Sequence, residues 1–214
     1  MTKVIAYIDG FNLYFGMREK FNRKYLWLDL WRLSELFLQE GDELVRVKYF
    51  TSIVSPTSKD PDKRRRQTLY LDALKTIGIE VILGDYELVS IKCKNCGLQI
   101  SNCPNCGHNI ETYKEKKTDV NIATNMIKDA YKGHFDKAFL VSGDRDLVPP
   151  IETVLSDFKD KSVFVIFPPL RATKHLQKIA SGSTNIKEKH LVNSQLSSVI
   201  IGENGYKLRK PSKW

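Results

Sequence analysis

Four aspartates and four cysteines are the residues of this chain whose types and spacing could do chemistry. Asp9 closes the near-continuous apolar run KVIAYID, Lys3 to Asp9. Asp144 and Asp146 follow a second run, Lys137 to Val141, by way of Ser142-Gly143. Asp119 opens a helical pattern that feeds that second run. Gathered carboxylates repel one another, a cost that a cation relieves. Hard oxygen ligands with few imidazoles suit Mg²⁺ or Mn²⁺. Such ions activate water and neutralise developing charge in phosphodiester hydrolysis. Each acid also has a plainer reading. Asp9 before Gly10 can begin a turn, Asp119 can favour a helix dipole, and Asp146 can be a helix N-cap.

The cysteines form a second constellation. Cys93-Lys94-Asn95-Cys96 and Cys103-Pro104-Asn105-Cys106 make CxxC-x6-CxxC, with Gly97 and Gly107 following each pair. Four thiolates are the tetrahedral set taken by structural Zn²⁺, and a closed set leaves no position for catalysis. The glycines let the backbone fold back so that its N–H groups face sulfur. The alternative is two reduced, unligated turns. His108 could replace one thiolate, although four need no help. Such an insert resembles a small zinc ribbon. It could clamp a substrate, bind a protein partner or form a homodimer contact.

The elements that must position these residues read as alternating strands and helices. Lys3 to Asp9 is a strand buried on both faces of a parallel sheet. A helix follows from about Phe11 to Glu19. Asp29 caps another, carrying Leu30, Leu33, Leu36 and Phe37. Glu43 to Ile53 is a second strand. Asp60 to Ile77 is a helix stopped by Gly78, and Ile79 to Leu83 is a third strand. Residues from about Asp85 to Lys114 break the rhythm, with flanks Tyr86 to Lys92 and Ile110 to Lys114 able to pair. Asp119 to Tyr131 is helical, with Val120, Ala123, Ile127 and Ala130 on one face. Lys137 to Val141 and Ser162 to Phe167 are strands around a helix from Asp146 to Phe158. Ala172 to Ala180 is a last helix. This alternation means an α/β fold with a parallel sheet flanked by helices. In such sheets function collects outside the carboxyl ends of the strands. That places Asp9, Asp144 and Asp146 together if their strands are neighbours. Whether Asp119 joins them depends on topology.

Length and charge set the bounds. The 214 residues suit one domain with a modest insertion, and 42% are apolar, enough for a core. Lys and Arg number 34 against 25 Asp and Glu, a net charge of +9 that favours a polyanionic partner. The first apolar run is too short for a secretory signal, and no segment approaches the roughly 18 apolar residues of a membrane span. A cytoplasmic protein with no membrane partner is expected. In a reducing compartment, clustered cysteines point to metal rather than disulfides.

Lys63, Arg64, Arg65 and Arg66 crowd the first turns of their helix, where positive charge costs about 0.3–1 kcal/mol per residue. A phosphate backbone would offset that, so Arg64, Arg65 and Arg66 are candidate nucleic-acid contacts; a solvated face is the alternative. The basic end with Lys207, Arg209, Lys210 and Lys213 reads as a disordered tail. Tyr14, Phe15 and Tyr70 could stack on bases, with core packing the alternative. His134, His175 and His190 show no ligand spacing.

Three segments carry a resemblance. IDGFNLY (Ile8 to Tyr14), KEKKTDVNIA (Lys114 to Ala123) and VSGDRDLVP (Val141 to Pro149) resemble the signature blocks of the NYN domain, of the PIN-like nuclease superfamily. The resemblance implies a PIN-like, Rossmann-like domain over residues 1–200, with the ribbon inserted at 85–114 and a basic tail at 202–214. It implies metal-dependent cleavage of single-stranded RNA, RNA being favoured over DNA. It assigns Asp9, Asp119, Asp144 and Asp146 to the metal and Asn12 to positioning a ligand or water. Ser142 and Lys116 or Lys117 become candidate nucleic-acid contacts; Arg145 departs from the small polar residue more usual at its position and is either an extra phosphate contact or solvated. A non-catalytic RNA-binding or adaptor module on the same scaffold is the second reading. A phosphatase of the haloacid dehalogenase type needs a second Asp where this chain has Phe11.

Overall fold

A computed structural model of the chain describes residues 1–57, 60–89, 91–92, 94–107, 112–202, 205–212 and 214. The strands are β1 (Thr2–Asp9), β2 (Asp42–Ser52), β3 (Glu80–Val89), β4 (Ile91–Lys92), β5 (Gln99–Ile100), β6 (Thr112–Lys116), β7 (Lys137–Val141), β8 (Ser162–Phe167), β9 (Gly182–Asn185), β10 (Val199–Ile201) and β11 (Lys207–Arg209). The helices are α1 (Gly10–Phe21), α2 (Leu30–Glu35), α3 (Lys63–Thr76), α4 (Thr118–Tyr131), α5 (Val148–Asp157), α6 (Lys174–Ile179) and α7 (Glu188–Asn193). A 3-10 turn at Arg145–Leu147 leads into α5.

Seven strands form one sheet in the order β6-β3-β2-β1-β7-β8-β9. All pair in parallel except β6, which runs antiparallel to β3. The apolar run of β1 lies at the centre because both of its faces must be covered. Val4, Ala6 and Ile8 meet Leu13, Trp27, Leu33 and Leu74 on one face. Ile5 and Tyr7 meet Ile122, Met126, Ile151 and Val154 on the other. This is the period-2 alternation of a strand shared between two cores.

Several elements differ from the sequence expectation. The buried side of α4 is Ile122, Met126 and Ala130, while Val120 is 66% exposed. The helix is turned because Asp129 is drawn inward. Its carboxylate meets Lys48 Nζ at 2.7 Å, accepts the Tyr7 hydroxyl at 2.8 Å and lies 3.1 Å from His134 Nδ1. Burial pushes Asp129 up, yet the bonds from Lys48, Tyr7 and His134 outweigh it and hold the acid below its ordinary range. Helix α2 stops at Glu35, leaving Leu36 exposed. The basic end is ordered where described: β11 pairs with β10 and Leu208 is buried. Alternation in Lys207-Leu208-Arg209 points one apolar residue inward between two solvated cations. Trp214 packs on Trp27 and Tyr70, at ring-centroid distances of 6.0 and 5.3 Å. Lys213 lies outside the described residues. Strand β9 and helix α7 are short and polar enough to escape periodicity. Among the described residues, no helix is long and apolar enough to cross a membrane.

The Lys48–Asp129 pair yields a stability prediction. Asp129→Ala takes from the buried Lys48 ammonium its nearest counter-charge, leaving Glu80 at 3.9 Å, and costs about 3–5 kcal/mol. Urea unfolding should show that loss, and a change under 1 kcal/mol would mean that Lys48 reaches water instead.

Candidate active site

The topology brings the acids to one mouth. Strands β1 and β7 are direct neighbours, with Ile8 opposite Val141. Asp9 and the Ser142-Gly143-Asp144 loop therefore leave the sheet side by side, at its carboxyl edge. Asp119 arrives differently. Strand β3 overshoots the edge of the sheet, where Ser52 faces Gly84, and continues to Val89. Strand β6 runs back along it until Lys116 stands opposite Asp85. The following residues, Lys117 to Asp119, are thus returned to the mouth. Gly84 permits that approach, since a Cβ there would lie 2.5 Å from the Lys116 carbonyl oxygen. Lys117 adopts a left-handed φ of 71° at the turn into α4 and pairs with Asp85.

A chain of hydrogen bonds holds the acids. Asp9 Oδ1 accepts the Asn12 N–H at 3.0 Å, so Asp9 is the N-cap of α1. Asp9 Oδ2 accepts the Ser142 hydroxyl at 2.8 Å. That hydroxyl in turn accepts the Asp144 N–H at 3.1 Å. Asn12 Oδ1 accepts the Gly143 N–H at 3.0 Å, and Asp144 Oδ1 accepts the Asp146 N–H at 3.0 Å. Capping and clustering are therefore compatible, and the cap of the second acidic turn is Asp144 rather than Asp146. The Asn12 amide oxygen and Ser142 hydroxyl both tie the β7 loop to the end of β1. Gly143 is needed because a Cβ would sit 1.8 Å from the Arg171 carbonyl oxygen.

The electrostatics show the crowding of charge. Burial pushes Asp9 up to about 6, with Asp119 and Asp144 adding to the rise against the bonds from Asn12 and Ser142. Burial also raises Asp119, helped by Asp144 and Asp146. A fifth acid, Glu115, escaped the sequence reading. Burial, with the charges of Asp9 and Asp119, raises it to about 7 against the bonds from Thr118 and Ser52. It accepts the Thr118 hydroxyl at 2.5 Å and the Ser52 hydroxyl at 3.5 Å. The available signal was its place four residues before Asp119, at the end of a strand, inside KEKKTD. Among the described residues, no three acid, imidazole or thiol side chains stand as a finished metal cage. The donors are all hard oxygens, and repulsion among partly buried carboxylates is what a divalent cation relieves. The residues present fit Mg²⁺ or Mn²⁺ in chemistry.

The candidate contacts divide. Lys116 and Arg145 are exposed beside the mouth. Arg64 and Arg65 are exposed on α3, whereas Arg66 is buried and bonded to Asp60 at 2.5 Å. Tyr70 is a core residue whose hydroxyl donates to the Leu28 carbonyl, whereas Phe15 is exposed.

In the insert, β4 pairs antiparallel with β5. Among the described residues, Cys96, Cys103 and Cys106 form no disulfide, while Cys93 and His108 lie outside the described residues. Gly97 and Gly107 have positive φ, 75° and 68°. The N–H groups of Cys106 and Asn105 are aimed at the Cys103 sulfur and lower its pKa.

Comparison with known proteins adds three findings. A sequence profile of the NYN domain matches residues 3–187. A 6-hydroxy-3-succinoylpyridine 3-monooxygenase of Pseudomonas putida is 28% identical over 97% of this chain and 74% of its own. A crystal structure of a protein of unknown function from Vibrio parahaemolyticus superposes with a TM-score of 0.58 at 22% identity, covering 91% of this chain and 96% of that one. That likeness speaks for the fold.

The raised acids set a pH dependence. With cations chelated, Asp9 and Glu115 bind protons more tightly in the folded chain than in the unfolded one. Their contribution to stability is full below about pH 4 and is lost as pH rises through about 6 to 7. In EDTA, the stability difference between pH 5 and pH 8 should narrow by about 1.4 kcal/mol in Asp9→Asn. Thermal melts with an unchanged pH dependence would contradict the burial of Asp9.

Proposed function

Because the chain belongs to the NYN domain family, we propose that its acidic mouth is the active centre of a metal-dependent endoribonuclease. The observation that carries this reading is the convergence of Asp9, Asp119, Asp144 and Asp146, joined by Glu115, at the carboxyl edge of the sheet. Asp9, Asp119 and Asp144 would hold Mg²⁺ or Mn²⁺, with Asp146 beside them. A bound cation supplies Lewis acidity and a lowered water pKa. The protein's own groups supply orientation. The Asn12 N–H and the Ser142 hydroxyl fix both oxygens of Asp9. Lys116 and Arg145, exposed at the rim, are placed to meet phosphates. Glu115, titrating near neutrality, is suited to accept a proton from the attacking water. The preference for RNA over DNA rests on the family.

Labelled RNAs and DNAs incubated with Mn²⁺ or Mg²⁺ test this. Single-stranded RNA should be cut and EDTA should stop it. Asp144→Asn should lose at least about a hundredfold in rate while its circular dichroism is kept. Cutting that persists undiminished in Asp144→Asn would sink the proposal. Salt-sensitive RNA binding without cutting would favour the adaptor reading.

A second reading has its own observation. Aromatic side chains and cations line a pocket beside the acids. The Pseudomonas relative is named for a pyridine substrate, and a small aromatic acid would suit such walls. Turnover of a pyridine acid by a chain that leaves nucleic acids intact would transfer the site to that class.

For the insert, we propose a structural Zn²⁺ on Cys93, Cys96, Cys103 and Cys106. The knuckle turns at Gly97 and Gly107 and the N–H groups facing Cys103 support it. Purified chain should release one zinc per molecule on mercurial titration, and Cys103→Ser should abolish that release. Retention of full zinc by Cys103→Ser would remove Cys103 from the set.

A further inference from the structure

The pocket beside the acids is built from two kinds of side chain that one ligand class uses together. Tyr14, Tyr86 and Trp214 supply aromatic surface, and Arg18, Arg23 and Lys63 supply charge. It opens to solvent, so a ligand can enter it from the surface. The cations are poorly compensated. Burial lowers Lys63, and Arg18, Arg23 and Arg66 oppose its charge. Among the described residues, Asp60 is the carboxylate that acts most on Lys63, and Arg66 already engages it. An anion seated here would relieve that repulsion.

The pocket borders the strand ends that carry the acidic mouth. Gly10, the residue after Asp9, lines it, as do Tyr49 and Thr51 at the end of β2. Tyr49 is shared between the two regions. Burial raises its hydroxyl pKa, and the charges of Asp9 and Glu115 raise it further. The aromatic surface extends as a stack from Phe11 and Tyr86 in the pocket lining to Tyr113 beyond it. Phe11 lies on Tyr86 at 6.0 Å between centroids and 13° between planes, and Tyr86 lies on Tyr113 at 5.2 Å and 4°.

We propose that this pocket is a nucleotide subsite, in which the aromatic walls take the base and Arg18, Arg23 and Lys63 take the phosphate of a nucleotide next to the bond to be cut. The last clause rests on the nuclease reading above; the binding of a nucleotide does not. Base stacking tolerates every base, so purine and pyrimidine nucleotides bind alike within a few-fold. Charge-assisted contacts to phosphate set the affinity.

The test uses the full chain in EDTA, titrated with 5′-AMP and 5′-UMP and followed by calorimetry and by tryptophan fluorescence, since Trp214 lines the pocket. The controls are adenosine, ribose 5-phosphate and pyridine-3-carboxylate. The two nucleotides should bind at least tenfold tighter than any control. The double variant Arg23→Gln/Lys63→Gln should weaken them at least tenfold, and Lys178→Gln, on exposed α6, should not. Ribose 5-phosphate or pyridine-3-carboxylate binding as tightly as AMP would overturn the proposal, as would unchanged affinity in the double variant. Cutting of labelled RNA is measured separately. Nucleotide binding by a chain that cuts nothing keeps the subsite and drops the nuclease reading. Cutting with an unchanged KM in the double variant drops the subsite and keeps the nuclease.

Discussion

Everything at the mouth depends on Asp9 being buried between two parallel strands with both carboxylate oxygens already bonded. One oxygen caps α1 through the Asn12 N–H, and the other receives the Ser142 hydroxyl from the neighbouring strand's loop. These bonds favour the charged acid, but burial and the nearby Asp119 and Asp144 outweigh them. The result is a carboxylate fixed in position and left short of positive charge. That combination suits an ion-binding edge better than a purely structural cap, whose acid would be content with its backbone partners.

The second constraint is the antiparallel return of β6. A parallel sheet built by crossovers delivers strand ends to one edge and helix starts after them. Asp119 belongs to neither of the two strands that carry Asp9 and Asp144. It reaches them because β3 and β6 form a ribbon that leaves the sheet and comes back. The cysteine hairpin β4–β5 lies within that excursion, so the insert and the fifth acid, Glu115, share one device. A change in the ribbon's length by a single residue would flip the side chains of β6 between faces and take Glu115 from the mouth.

Away from the mouth, the Lys48–Asp129 pair sets how α4 rolls on the sheet. The pair is held by Tyr7 and His134 as well as by its own contact. Opposite, α1 and α3 leave an aromatic and cationic hollow instead of closing upon one another. One central strand, β1, therefore serves a dry charged network on one side and an open pocket on the other.

Much was legible in the sequence because it is local. Continuous apolar runs ending in acids announce β1 and β7, Asp29 announces its helix, and Gly78 ends another; the strand Ser162–Phe167 was readable to the residue. The acids of those strand ends followed once the sheet was taken as parallel. What the sequence could not contain was registry between distant segments. Val120 was expected to be buried and is exposed, because Asp129 outbids apolar periodicity through partners 81 and 122 residues away. Arg66 turned inward to Asp60, and the basic end folded on Leu208 and Trp214, for the same reason. Residue types and short spacings by themselves determined an α/β fold with acids at strand ends. Only the tertiary structure decided that Asp119 and Glu115 join them, since charge and burial act through space and not along the chain.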